Sequence, residues 1–496
     1  MLPPYIEDDK EWSQKFEAAI EKFSGSDTPE ESAETLRELL KSGLIRFSDL
    51  QKNPERFFKS HRYLLAPTRT PDGSGAGVRY TVLVNLFGGS ILGLGSDEQV
   101  NMLEEFQERG VLGCFCLTEK FAGVNSGLVV QTTAIWNEET QQFTIHCPTE
   151  GAAKNWISQG STASHAVIIA NLGIAGKFYG PHAFVAQIRD EQTGELLPGV
   201  SSEDLGRKSV ANDLDNSAIS FNQFVVPKSA LLNRFADVRD NKYVQTTERR
   251  MTIETVGQRL LTGRLAIAQA SIVYAETLFK RAKQYADNKP CWAPKGQKQP
   301  SLSEVPHIAA IFAEGFEQLS TLQRYNFKIE ELMIPVLKNR EIPSAQLVEQ
   351  IAVAKVKSVQ TAITLTDKLA RELGSYALMY ESGLGTTHWL LMCQFAEGDT
   401  RILQQKLARD SMKKFKATSW KDTGKEIVFG TSAEQQEMKV RFQLSRALSS
   451  AAGPEDAGRL WNENYALVYE LAETVCARHI ADALDEGARE SLFSKL

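Results

Sequence analysis

The chain has 496 residues, 42% hydrophobic and 24% charged, with a formal net charge of −6 and an isoelectric point near 5.8. That length supports a large buried core divided into two to four domains, and the mild acidity supplies no basic field for a nucleic-acid partner. Membrane insertion is not expected either: apolar runs such as 166–170 are too short to span a bilayer, and Glu7, Asp8, Asp9 and Glu11 stand where a secretory signal would be basic and then apolar.

Residues 1–112 read as a helical domain. Phe16, Ala19, Ile20 and Phe23, then Leu36, Leu39 and Leu40, recur three and four apart, with a turn cluster at 24–29 between them. A further helix is expected from Asp97 to Arg109, with Val100, Leu103 and Phe106 inward; Ser96 and Gln99 have the spacing of a capping box. Near Gly113 the period changes to two. Phe143, Ile145 and Cys147 alternate with polar residues, as do Phe184, Ala186 and Ile188, and turn residues recur at 137–138, 190–194, 198–199 and 212–213. Residues 113–235 therefore read as an antiparallel β domain whose sheet closes at Val226-Pro227.

From Thr252 the pattern is helical again. Small apolar residues after Gly263 permit close helix packing, 290–300 reads as a loop, and Leu347, Ile351, Ala354, Val359, Ile363, Leu369 and Leu373 keep a four-residue rhythm that Gly374 ends. Residues 236–410 read as a helical bundle, and 411–496 as a helical extension with loops at 423–432 and 449–453. Six cysteines make no disulfide framework; Cys114 and Cys116 fit alternating strand residues better than half a metal site, so reduced thiols and no metal are expected. The terminal Ser494-Lys495-Leu496 is a peroxisomal address when free at the C-terminus of a eukaryotic protein; in a bacterial one it carries no meaning, and the cytoplasm is expected.

The chemistry concentrates at 395–400, Phe-Ala-Glu-Gly-Asp-Thr, just before a helix carrying Leu403, Leu407 and Ala408. An acid followed by glycine leaves the Glu397 carboxylate on a tight turn beside helix N–H groups, where a base could face a cavity. Solvated acids starting a helix fit the same six residues. Elsewhere the chain offers hydrogen-bond donors, backbone N–H groups that could bind an anion, and an aromatic wall. Thr118, the loop from Gly123 to Gly127, and Trp156 with Ser158 offer these in order, although Trp156 also fits a sheet-core aromatic and Ser158 a strand-end hydroxyl.

Helices, a small β domain and a helical bundle with an acid-Gly turn near its end resemble the acyl-CoA dehydrogenase and oxidase superfamily over roughly residues 50–410. Thr118-Glu119 with Gly123 to Gly127 looks like the family's flavin loop, Trp156-Ile157-Ser158 like its Trp-Ile-Ser/Thr strand, and Phe221, Phe224, Pro227 and Leu231 like its sheet closure. Glu397-Gly398-Asp399-Thr400 matches the oxidases' Glu-Gly-Asp more closely than the dehydrogenases' Glu-Gly-Thr. The resemblance implies an α+β fold: an N-terminal helical domain, a central antiparallel β domain, and a C-terminal helical bundle with a short helical extension. It implies FAD held by Thr118, Gly123, Ser126, Gly127, Trp156, Ser158, Gly374, Asp399 and Thr400, and Glu397 as the base that takes the α-proton of a fatty acyl-CoA in the first step of β-oxidation. Burial against an acyl chain would raise the pKa of that base, and its backbone N–H would help hold the thioester oxygen.

The resemblance further implies a homodimer, acyl-CoA and dioxygen as reactants with trans-2-enoyl-CoA and hydrogen peroxide as products, and a peroxisomal import receptor as partner in a eukaryotic cell. Glu-Gly-Asp, the extension past Arg409 and Ser-Lys-Leu lean to an oxidase; a dehydrogenase serving an electron-transfer flavoprotein is the alternative. Two departures keep a non-catalytic acyl-CoA-binding relative open. Asp287 to Trp292 replaces the family's Arg-x-x-Phe-Gly, and Gly374-Ser375-Tyr376 replaces its Gly-Gly-x-Gly-Tyr, where a serine would crowd a close backbone approach. Asp399 and Glu381 are the competing acids for the role of base.

Overall fold

The computed structural model describes residues 6–21, 28–65, 75–122, 130–248, 258–417 and 431–484. The chain divides into two compact units, one of Met1–Ala266, Ile334–Ile342 and Gly374–Trp389, the other of Ile267–Met333, Pro343–Leu373 and Leu390–Leu496.

In the first unit, α1 (Asp9–Ile20) starts where the Asp8 carboxylate accepts the Glu11 N–H at 2.6 Å, and it buries Trp12, Phe16 and Ile20. α2 (Pro29–Lys41) has Thr28 as N-cap and proline in its first turn, and buries Leu36, Leu39 and Leu40; Phe23 and 24–27 lie outside the described residues. Two further helices, α3 (Asp49–Lys52) and α4 (Pro54–Leu65), lead to α5 (Ala76–Leu94). By length and composition α5 could cross a membrane, and here it is wholly buried as a core helix. Its middle, Thr81–Gly88, takes wider π-helical turns. Glycine admits its neighbours: a Cβ on Gly88 would stand 2.4 Å from Phe47 Cδ1, and one on Gly113 2.2 Å from Phe87 Cγ. α6 (Asp97–Arg109) carries the Ser96/Gln99 capping box and ends on left-handed Gly110; Leu103 and Phe106 are buried and Val100 is half-buried.

The main sheet runs β1 (Gly113–Cys116), β5 (His165–Ile174), β2 (Thr133–Asn137), β3 (Gln142–His146), β9 (Phe224–Pro227), with β6 (Lys177–Gln187) also on β5. Most ladders are antiparallel as expected, but β1 and β2 both join β5 in parallel, Phe115 opposite Val167 and Ala134 opposite Leu172. Alternation of side chains reports which face is buried and carries no information on strand direction. β3 alternates as its sequence suggests, whereas Ala183 to Ala186 in β6 are buried on both faces, because the end of α5 packs on that strand. A second sheet orders β4 (Lys154–Ser158), β8 (Asn216–Phe221) and β7 (Val200–Asp204). Strands continue past Pro227: β10 (Ala236–Arg239) and β11 (Lys242–Gln245) form a hairpin whose turn residues Asp240 and Asn241 sit at φ +48° and +61°.

The second unit is helical. α7 (Gln258–Asn288) contributes from Ile267 and α8 (Pro306–Lys338) up to Met333, and they approach closely where Gly315 faces Phe279, a Cβ there standing 2.1 Å from the ring. α9 (Ala345–Glu372) is tied to α8 by Asn326 Nδ2 donating to Ser358 Oγ at 3.0 Å. After α10 (His388–Phe395) come α11 (Thr400–Ala417), α12 (Ser432–Leu448), α13 (Pro454–Glu463) and α14 (Tyr465–Ala483), with α14 packed on α9, α11 and α12. The boundary drawn at 410/411 falls inside α11, since Met412 continues the buried stripe of Leu403 and Leu407. All six cysteines are free thiols, and Cys114 and Cys116 sulfurs lie 3.8 Å apart.

Glu349 on α9 meets His479 Nε2 at 3.3 Å and a Lys414 ammonium. Burial pushes its carboxyl up, but these two partners together draw it down from 4.5 to about 2. A folded-state value below the unfolded one stabilises above pH ~4.5, and this is lost as pH falls from ~4.5 to 2. Glu349→Gln should therefore cost about 3 kcal/mol near neutrality, with the gap to the parent narrowing below pH ~4.5 in urea unfolding. A gap constant down to pH ~3 would refute the assignment.

Candidate active site

In the first unit the chemistry-bearing strand β4 is pinned at both ends by buried charges. The segment after β1 lies antiparallel to it: Asn155 N–H donates to Thr118 O and Lys120 N–H to Ala153 O, both at 2.8 Å, with Glu119 opposite Lys154. Lys154 is wholly buried and donates to the Glu119 carboxylate at 2.9 Å, to Ile169 O at 2.8 Å and to Leu117 O at 3.4 Å. Burial pushes this ammonium down, against the upward pull of Glu119. The Glu119 carboxylate also accepts the N–H groups of Gln131 and Thr132 at 2.8 and 3.0 Å and the Thr132 hydroxyl at 2.8 Å. It thus ties both ends of the segment carrying Gly123, Ser126 and Gly127, which lie outside the described residues.

At the other end of β4, Asp215 accepts from Ser161 N–H at 2.7 Å, from Thr162 Oγ1 at 2.9 Å and from buried Arg79 of α5 at 3.1 Å. Between the two pins the pairing of β4 with β8 slips by a bulge from Lys154 to Ile157, and Trp156 takes φ +56°. The bulge inverts the expected parity. Lys154 turns inward, and Trp156 projects with 60% of its surface exposed instead of entering the sheet core. Ser158 is half-buried with its hydroxyl accepting from Asn216 Nδ2 at 3.0 Å, and the Thr118 side chain is exposed across from Asn155. Thr118 and Trp156 thus present exposed side chains on paired segments, and Ser158 a half-buried one two residues on.

The second unit holds the acidic turn. Glu397 is half-buried at φ +57° and Gly398 follows at φ +96°, both left-handed. Beneath them Lys355, wholly buried in α9, donates to the carbonyl oxygens of Ala396 and Gly398 and to Gln394 O at 3.4 Å. Asp399 caps α11: Oδ1 accepts the Arg401 N–H at 2.7 Å, while Oδ2 is buried and accepts no hydrogen bond among the described residues. Thr400 is buried with its hydroxyl donating to Gln394 O at 3.2 Å, so it closes the turn.

Gly374 belongs to the first unit, at φ +60° after α9, with open space where a Cβ would stand; Ser375 beside it is exposed. Glu381 sits exposed on the short helical turn Tyr380–Ser382 of the same unit. Among the described residues no group of three or more His, Cys, Asp or Glu side chains could hold a metal ion. Sequence reasoning missed Lys154 and Lys355. For Lys355 a signal existed: it stands four residues from both Ile351 and Val359, on the buried stripe of α9.

No family model matches the chain. It is similar to the acyl-coenzyme A oxidase of Saccharomyces cerevisiae, 30% identical over 379 residues covering 68% of this chain and 48% of that protein. It is also similar to the peroxisomal acyl-coenzyme A oxidase 2 of Arabidopsis thaliana, at 29% over 76% of this chain and 55% of that protein. The chain thus spans about half the length of these relatives. Among solved structures, acyl-CoA oxidase-2 of Caenorhabditis elegans bound with FAD, ascaroside-CoA and ATP superposes with a TM-score of 0.77 over 97% of this chain and 78% of that one, at 19% identity, a likeness of fold.

Removing one member of a buried pair leaves the other charge uncompensated, at a cost of about 3–5 kcal/mol. Lys154→Met and Glu119→Gln should each destabilise on that scale, and the double variant should lose well under the sum. Urea unfolding of the four-protein cycle measures this; additive losses would show that the pair is uncoupled.

Proposed function

The chain is related in sequence and in fold to the acyl-CoA oxidases, and from that premise we propose that it is an FAD-dependent acyl-CoA oxidase acting at the first step of fatty-acid β-oxidation. The observation that carries this is the Glu397 turn. A non-glycine residue held left-handed costs about 1–2 kcal/mol, and such strain persists where surrounding groups over-determine it, often at functional sites. Three carbonyl contacts from buried Lys355 do so here.

The residues of the first unit suit a flavin. Trp156 offers an exposed aromatic face, and Thr118 and Ser158 offer hydroxyl groups, the first exposed and the second half-buried. In the second unit Asp399 Oδ2 is a buried acceptor available to a ligand N–H or O–H. When bound, FAD would supply the acceptor for the β-hydride and the route by which two electrons reach dioxygen to give hydrogen peroxide. Glu397 takes the α-proton, and its N–H donates to the thioester oxygen as negative charge develops there. Thr400 keeps the turn closed through Gln394 O. The proposal includes a homodimer and, on the name of the Arabidopsis relative, a peroxisomal location reached through the import receptor; 494–496 lie outside the described residues.

Purified protein reconstituted with FAD should be yellow, bleach anaerobically with a fatty acyl-CoA, and regain colour in air with one hydrogen peroxide per flavin. Colour that returns only with an artificial electron acceptor would reassign the chain as a dehydrogenase. Glu397→Gln should keep flavin and acyl-CoA binding while slowing bleaching by ~10²–10⁴-fold. Asp399→Asn and Glu381→Gln, run beside it, test the competing acids; normal bleaching by Glu397→Gln would remove Glu397 as the base.

A further inference from the structure

We propose that Lys355 is a positioning residue for this reaction: it fixes the backbone of the Glu397 turn so that the Glu397 N–H is aimed at the thioester oxygen. The inference rests on the reading of Glu397 as the α-proton base. An ammonium has three N–H donors, and here three backbone carbonyls, of Gln394, Ala396 and Gly398, surround one that is wholly buried. Those carbonyls end α10 and lead into α11, so one side chain spans the whole acidic turn.

Peptide planarity turns this grip into a direction. In a trans peptide the C=O and N–H point opposite ways. Ala396 C=O points at Lys355, so the N–H of the same peptide, that of Glu397, points away from it. Gly398 C=O likewise sends the Asp399 N–H away from the ammonium. The left-handed φ values of Glu397 and Gly398 allow two alternate peptides to turn their oxygens to one side. A carbonyl bonded to a cation also polarises its peptide, which makes the opposite N–H a stronger donor. Lys355 therefore acts on the reaction through the Glu397 amide, without touching substrate.

A plain structural brace would alter stability and little else, so the test reads proton removal separately. Lys355→Met and Lys355→Gln are compared with the parent and with Glu397→Gln, all reconstituted with FAD and checked for flavin content and melting temperature. Two quantities are measured: the anaerobic flavin reduction rate with a saturating fatty acyl-CoA, and the pH midpoint for forming the bound enolate of a 3-oxoacyl-CoA. The second is followed by the enolate's near-ultraviolet absorbance, a readout that needs no turnover.

Lys355→Met should slow reduction by about 10- to 100-fold, leave acyl-CoA affinity within about threefold, and move the enolate midpoint at least one pH unit higher. Lys355→Gln keeps two N–H donors without the charge and should shift both in the same direction by less; if the Met variant does not fold, it decides alone. An unchanged rate and midpoint in a folded Lys355 variant would overturn the inference while leaving Glu397 as base. Normal proton removal by Glu397→Gln would overturn the underlying reading and this inference together.

Discussion

Everything around β4 depends on the Lys154 ammonium being buried against the Glu119 carboxylate. Taking such a pair out of water is unfavourable unless every remaining hydrogen-bonding capacity is met. Here the carboxylate also takes two backbone N–H groups and a hydroxyl, and the ammonium two carbonyls. The pair consequently does more than join two side chains. It fixes where the chain leaves β1, where it re-enters at β2, and which way β4 faces.

The second unit applies the same physics to backbone carbonyls. Lys355 meets three carbonyl dipoles at the junction of α10 and α11, a place where the ends of helices leave such groups unpaired. Asp399 complements it by capping α11. The charged residues of Glu-Gly-Asp thus divide their work: Asp399 builds the turn, and Glu397 is carried on it, with Gly398 supplying a conformation that side chains resist. Trp156 is carried in the same way, on the bulge that begins at the buried Lys154.

Much of this was legible in the residues. The α6 capping box, the apolar rhythm of α9 and the alternation of β3 are local patterns, set by side chains within one or two turns of each other. Strand direction at β5, the burial of both faces of β6 and the identity of α5 as a core helix depend on what lies across from them, which no local period records. The parity of β4 is intermediate: Lys154, Trp156 and Ser158 share a face on strict alternation, and a single extra residue in the ladder undoes it. The acidic turn was recognisable as a motif. Its support by Lys355 lies on another helix, some forty residues earlier in the chain, and became visible only when the carbonyls were paired.

The complete enclosure of α5 also bears on how the protein is made. Its nineteen residues are apolar enough to pass for a membrane span, yet Arg79 within it waits for Asp215, and synthesis runs N-terminal first. From the end of α5 at residue 94 the ribosome must add 121 residues (215 minus 94) to include that partner, which at about 5–20 residues per second takes roughly 6–24 s before the pair can form. During that interval a nascent chain exposes a segment with the character of a hydrophobic core. Chaperone occupancy on the ribosome is therefore to be looked for at α5, and the helix is where slow translation of the β domain would be felt as aggregation.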